Sequence, residues 1–198
     1  MTAAVPGLLT GLSLIVAIGA QNAYVLKQGL TRRHVGLVVA ICAVSDALLI
    51  TIGVSGVGAL VRDHPTALTV LRWVGAGYLA AYGLRSLWKA RRPQGLDPLD
   101  GGGAGRRSVA ATALALTYLN PHVYLDTVLM LGSIANQHGD ARWWFAAGAV
   151  AGSFLWFTTL GFGARAASRV MSRPTTWRVL DLGIGVVMIA LAVRLLRG

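Results

Sequence analysis

Two aspartates, two asparagines and one proline define the chemistry open to this chain. Asp46 and Asp126 both lie inside long apolar runs. A carboxylate at membrane depth costs on the order of 3 kcal/mol or more unless it is protonated, paired or hydrated. Such a group suits proton coupling or the binding of a cation; the plain alternatives are a structural ion pair for Asp46 and a solvated helix end for Asp126. His122, one turn before Asp126, is placed to hydrogen-bond it or simply to pack. Asn22 and Asn120 are lone amides in apolar runs, with Gln21 beside the first and Tyr24 and Tyr124 close by. Amides hydrogen-bond freed backbone groups, or the amino and carboxylate groups of a zwitterion. The alternative for both is hydrogen-bonding glue between helices, about 1 kcal/mol or less each. Pro121 lacks a donor, and its ring clashes one turn back, so its helix must kink or break. In lipid, irregular backbone is tolerated only against protein or a wet cavity. A half-helix starting at Pro121 would offer its N–H groups to a substrate carboxylate. With Asp46 at the other end, the set is complementary to a small amino acid with a cationic side chain.

These residues need a membrane scaffold, and the chain supplies one. Of 198 residues, 55% are hydrophobic, and the mean hydropathy is +0.63. Six apolar runs are long enough to span, at about 20 residues each: 3–26, 35–61, 66–88, 109–134, 143–164 and 177–196. Asp46 lies eleven residues past Val35, roughly 16 Å along a helix rising about 1.5 Å per residue, near the middle of a core about 30 Å thick. No arginine is expected at that depth. Asp181 follows Arg178 by three residues, which predicts an ordinary helical ion pair.

The net charge of +11 does not imply nucleic acid, because the basic residues fall in short clusters between apolar runs. Thirteen of the eighteen lysines and arginines group on one side of a six-span layout. That bias predicts a cytoplasmic mid-chain linker and extracytoplasmic termini. The N-terminal run has no basic n-region and reads as an uncleaved first span. Cys42 is the single cysteine, so no internal disulfide forms. No metal-ligand spacing, Walker A loop or nucleophile elbow is present, so neither a metal, a cofactor nor a catalytic residue is expected. An intramembrane enzyme using the two aspartates as an acid pair, or a structural membrane protein, are the competing classes.

The chain divides at a Gly- and Pro-rich linker, about residues 89–108, into repeat one (about 1–88) and repeat two (about 109–198) of a single transmembrane domain. An odd number of spans per half makes the halves inverted. Echoes support the division: Asn22-Ala23-Tyr24 with Asn120-Pro121-His122, Ser45-Asp46-Ala47-Leu48 with Gly152-Ser153-Phe154-Leu155, and Gly75-x-Gly77 with Gly183-x-Gly185. Inverted-repeat transporters hold their sites midway, where the halves meet. Gly148-x-x-x-Gly152 and the series Gly53, Gly56, Gly58 permit close helix approach.

Three segments carry a family resemblance: Gly19-Ala20-Gln21-Asn22-Ala23-Tyr24-Val25-Leu26-Lys27-Gln28-Gly29, Ser45-Asp46-Ala47-Leu48-Leu49-Ile50, and Leu119-Asn120-Pro121-His122-Val123-Tyr124-Leu125-Asp126-Thr127. They are similar to signatures of the LysE superfamily, in its lysine and arginine exporter (LysE/ArgO) branch. The linker matches nothing recognisable. The resemblance implies an all-α protein of six transmembrane helices, the first and fourth broken. It implies export of lysine or arginine across the bacterial inner membrane, driven by the proton motive force or the membrane potential. On this analogy Asp46 and Asp126 couple protons or recognise the side chain, with Asn22 and Asn120 near the breaks. Export of neutral amino acids such as homoserine and threonine is the alternative. The implied partners are the amino acid, coupling protons and the bilayer, with self-association left open.

Overall fold

The computed structural model describes residues 3–16, 19–57, 65–91, 105–167 and 174–197. Among them there is no strand. The helices are α1 (Ala4–Ile15), α2 (Ala20–Thr31), α3 (Val35–Ile52), α4 (Pro65–Arg91), α5 (Arg106–Tyr118), α6 (residues 121–136), α7 (Arg142–Ala167) and α8 (Pro174–Arg197). Three stretches are long and apolar enough to cross a bilayer: Val35–Gly56, Gly139–Ala167 and Arg178–Arg197. Most of the predicted linker, at 92–104, the last residues of the predicted span at 35–61 (58–61, Gly58 among them), and the connecting residues 62–64 and 168–173 lie outside the described residues.

Helices form because intrachain hydrogen bonding is what satisfies a backbone in hydrocarbon. Their surfaces are sorted accordingly. On α3, Val44 and Leu48 are about half exposed, whereas Ser45, Asp46, Leu49 and Ile50 are buried. Asp46 and Ser45 thus point into the protein, and Val44 and Leu48 give the outer face an apolar surface. Trp88, Trp143 and Trp144 stand exposed close to helix ends, as interfacial tryptophans do.

The apolar run at 3–26 is not one helix. α1 and α2 meet at 83°, and α2 continues past the predicted end to Thr31. The run at 109–134 is also divided. α5 ends at Tyr118, Asn120 is extended (φ −95°, ψ 107°), and Pro121 is the first residue of the next helix. At that position the missing proline N–H costs nothing, because the first-turn donors have no intrahelical acceptor anyway. α6 then winds as a short α-turn (Pro121–Val123), a π-helical stretch (Tyr124–Leu131) and an α-helical end (Gly132–Asn136).

The main helix pairings join the first half of the chain to the second: α4 with α8, and α1, α2 and α3 with α7. α1 and α7 meet backbone to backbone. A Cβ on Gly7 would sit 2.0 Å from the Phe145 carbonyl oxygen, and one on Gly148 would sit 1.9 Å from that of Ala4. Gly53 also packs on the Val128 carbonyl of α6, 2.7 Å from where a Cβ would sit, while Gly56, with φ +90°, bends the end of α3. The Gly75-x-Gly77 and Gly183-x-Gly185 echo does not extend to packing. Gly75 packs on the Leu119 backbone and Gly185 on the Leu87 side chain, whereas Gly77 and Gly183 face open space.

Candidate functional site

Where the two broken regions come together, the body contains a cavity of about 290 Å³. This is just under the roughly 300–1,000 Å³ usual for small-molecule sites, room for one amino acid. Its polar wall includes Gln21, Asn22, Asp46, Asn120, Asp126 and Arg194, with His122, Thr127 and Ser153 beside them. Ile15, Ile50, Leu79, Leu131 and Leu191 supply much of the rest.

Asp46 is 5% exposed and accepts a 3.0 Å hydrogen bond from Ser153 Oγ of α7. Its partner is therefore a hydroxyl, not an arginine. Ser153 is also the residue aligned with Asp46 in the internal echo. Asp126 lines the same wall from the π-helical stretch and is less deeply buried. Arg194 shares that wall from the last turn of α8. Sequence reasoning missed it because, four residues from the C-terminus, it read as an end-of-span charge.

The asparagines hold the breaks. Asn22 Nδ2 donates to the Ile15 carbonyl at the end of α1 at 2.6 Å. Its Oδ1 accepts from Trp156 Nε1 of α7 at 3.2 Å. Asn120 caps α6, its Oδ1 accepting the His122 N–H at 3.2 Å. Nothing local in the sequence marked Trp156, because its partner lies 134 residues away.

This arrangement changes which helix end is free. The half-helix after Pro121 has little to offer an anion: the proline has no N–H, His122 is capped, and the Val123 N–H donates to the Asn120 carbonyl at 3.1 Å. The α2 N-terminus has no side-chain cap, and Gly19, Ala20 and Gln21 line the cavity there. Gln21 Nε2 is buried with no hydrogen-bond partner among the described residues. A buried orphan donor beside an uncapped helix start is suited to an anionic group.

Tyr24 and Tyr124 are not among the lining residues. The Tyr24 hydroxyl donates to the Val109 carbonyl at 3.4 Å, and that of Tyr124 reaches back over the break to the Tyr118 carbonyl at 3.0 Å. Pro121 and His122 line an adjoining hollow of about 390 Å³ with Arg72 and Arg194. The expected pairing of Asp181 with Arg178 is corrected: Asp181 binds Lys27 of α2 at 2.5 Å. Among the described residues no cluster of His, Cys or acidic side chains is arranged to hold a metal.

The sequence profile of the LysE type translocator family matches residues 12–198. The chain belongs to the LysE type translocator family. Its membership is of a translocator and not an enzyme, and it places the protein among bacterial membrane proteins. The chain is 38% identical to the lysine exporter LysE of Corynebacterium diphtheriae, with 99% of each chain covered. It is 36% identical to the LysE of Corynebacterium glutamicum over 97% of each chain. To the arginine exporter protein ArgO of Yersinia enterocolitica it is 39% identical, over 96% of this chain and 94% of that one. No solved structure matches the chain.

The two asparagines of this LysE-type chain make different demands on stability. Asn120→Ala removes one helix cap, worth about 1 kcal/mol. Asn22→Ala strands both a carbonyl and an indole N–H, each worth about 1–3 kcal/mol when buried. Thermal unfolding in detergent is therefore expected to rank wild type above Asn120→Ala, and Asn120→Ala above Asn22→Ala.

Proposed function

We propose that the protein is a secondary exporter of cationic L-amino acids, lysine and arginine, across the bacterial inner membrane. The observation that carries this reading is the pair of carboxylates, Asp46 and Asp126, in the wall of one small cavity inside an apolar body. Charge is held in such a place where something of opposite sign has to pass. The names of relatives 36–39% identical over nearly the whole chain point to the same substrates.

The substrate's cationic end goes to Asp46 and Asp126. Its carboxylate goes to the uncapped start of α2 and the Gln21 amide, where helix dipole and free donors both favour an anion. Asn22 and Asn120 keep the two breaks in shape rather than gripping the substrate throughout. Tyr24 and Tyr124 support the backbone around them. Protons or the membrane potential drive the cycle, with Asp46 the coupling carboxylate.

Six spans in two inverted halves, about 1–88 and 109–198, fit this reading: α1 with α2, α3, α4, α5 with α6, α7, and α8. It is supported by breaks in the first and fourth spans and by the contact of Asp46 with its own repeat counterpart, Ser153. Equivalent residues touch only near the axis relating two halves, which is where such transporters bind their cargo. The basic linker side is cytoplasmic and both termini are outside.

The test is efflux from proteoliposomes loaded with radiolabelled lysine, arginine, homoserine or threonine. Release of lysine and arginine under an imposed gradient or potential is expected. Release of homoserine and threonine instead would move the protein to the neutral branch, and no release of any would leave an enzyme or scaffold.

A further inference from the structure

The cavity is bounded differently at its two ends. Toward the C-terminal end of α8 it adjoins the hollow lined by Arg72, His122 and the exposed Arg194. In the other direction three helices lead away from it into packed side chains. On α2, Gln21 lines the cavity, and Tyr24 and Lys27 follow at successive turns. On α4, Leu79 lines it and Tyr82 follows one turn on. On α8, Leu191 lines it, and Met188, Ile184 and Asp181 recede from it along one face.

These residues form two layers. Tyr24 and Tyr82 meet edge to face, ring centroids 6.0 Å apart, beside the fully buried Met188. Beyond them the Lys27 ammonium binds Asp181 at 2.5 Å, both side chains 17% exposed. Asp181 lies thirteen residues from Arg194, about 20 Å along the helix. The ion pair therefore lies toward the end opposite the Arg194 hollow, and it joins α2 of the first half to α8 of the second.

An ammonium held by a carboxylate is the contact that a lysine substrate would itself make. Lys27 differs only in being tethered, and its flexible stem lets the charge move out to water at small cost. We propose that Asp181 is a binding station for the substrate's cationic group at the closed end of the path, with Lys27 as its resident place-holder. The inference rests on the exporter reading and deepens it. The path stays shut until a side-chain ammonium or guanidinium displaces Lys27 from Asp181. A neutral amino acid carries its only ammonium on the same carbon as its carboxylate, which Asp181 repels, so the pair selects for a side-chain cation before the cavity is reached. Arriving at Asp181 separates α2 from α8, and Tyr24 moves with α2 away from Tyr82 on α4.

The native Cys42 reports the event. It is the single cysteine, it is fully buried, and it belongs to the same packed cluster as Tyr24 and Met188. In proteoliposomes, a membrane-impermeant maleimide is expected to label it slowly. Added lysine raises the rate by about 10-fold, as a shift of a closed-to-open equilibrium does, and threonine leaves it unchanged. Lys27→Ala labels as fast without lysine as wild type does with it, and the exchange of charges, Lys27→Asp with Asp181→Lys, returns the slow rate. A labelling rate indifferent to lysine in wild type and to Lys27→Ala overturns the proposal. Should that variant not insert, Asp181→Asn takes its place in the comparison, and the wild-type lysine response needs no variant. Lysine flux is measured in the same vesicles. Flux with no labelling response defeats the gate alone, and absence of both lysine and arginine flux defeats the exporter reading beneath it.

Discussion

Asp46→Asn is expected to cut lysine and arginine efflux at least about tenfold while the protein still reaches the membrane in normal amount. The amide has nearly the shape of the carboxylate and still accepts the Ser153 hydroxyl hydrogen bond, 3.0 Å in the native protein, so the packing of α3 on α7 is kept. What disappears is the negative charge. A charge-assisted contact to a cationic substrate is worth about 1.5–3 kcal/mol, so flux falls by about 10- to 150-fold at subsaturating substrate, since each factor of ten is about 1.4 kcal/mol. Thermal stability is unchanged or slightly higher, because a buried carboxylate is costly to keep in a low-dielectric interior. Asp126→Asn loses less, since that side chain is nearer solvent. Purified and reconstituted Asp46→Asn that effluxes at the wild-type rate would remove Asp46 from the mechanism.

A single methyl group at Gly75 has an effect of similar size through the fold. Gly75 of α4 lies against the break between α5 and α6, and a Cβ there would come 1.9 Å from the Leu119 carbonyl oxygen. Neither side can relax by turning a side chain, because the neighbour is backbone. Overpacking of this kind costs about 1–3 kcal/mol or more, and here the displaced segment carries the cap of α6. Gly75→Ala is therefore expected to lower the amount of monodisperse protein recovered from membranes several-fold and to abolish efflux in what remains. Gly77→Ala, where nothing lies within 4 Å of the added atom, serves as the control with wild-type yield and flux. Equal behaviour of the two variants, scored by detergent chromatography and proteoliposome flux, would refute the close contact at the break.

Much of this was legible in the linear chain, and for a physical reason. Apolar runs, a proline in one of them and carboxylates at membrane depth are features whose cost in lipid depends on composition and position alone. An all-helical membrane body and a break near Pro121 follow from that cost without any tertiary information, and the same cost singles out Asp46 and Asp126 as candidates. The aligned positions Asp46 and Ser153 were visible as an echo as well, though not that the two touch.

What the tertiary structure decided are the pairings that cross the chain. The bend between α1 and α2 depends on Asn22 reaching both the Ile15 carbonyl and Trp156, and no local propensity encodes the second of these. The proline suggested that α6 offers the free helix start. In three dimensions Asn120 occupies that end, and the uncapped start with an orphan amide belongs to α2. Asp181 has a basic neighbour at helical spacing in Arg178, yet binds Lys27, 154 residues away. Charge and hydropathy along a sequence determine which groups must be buried or paired. Which partner each one finds is set by the packing of helices from opposite halves, and distance along the chain carries no trace of it.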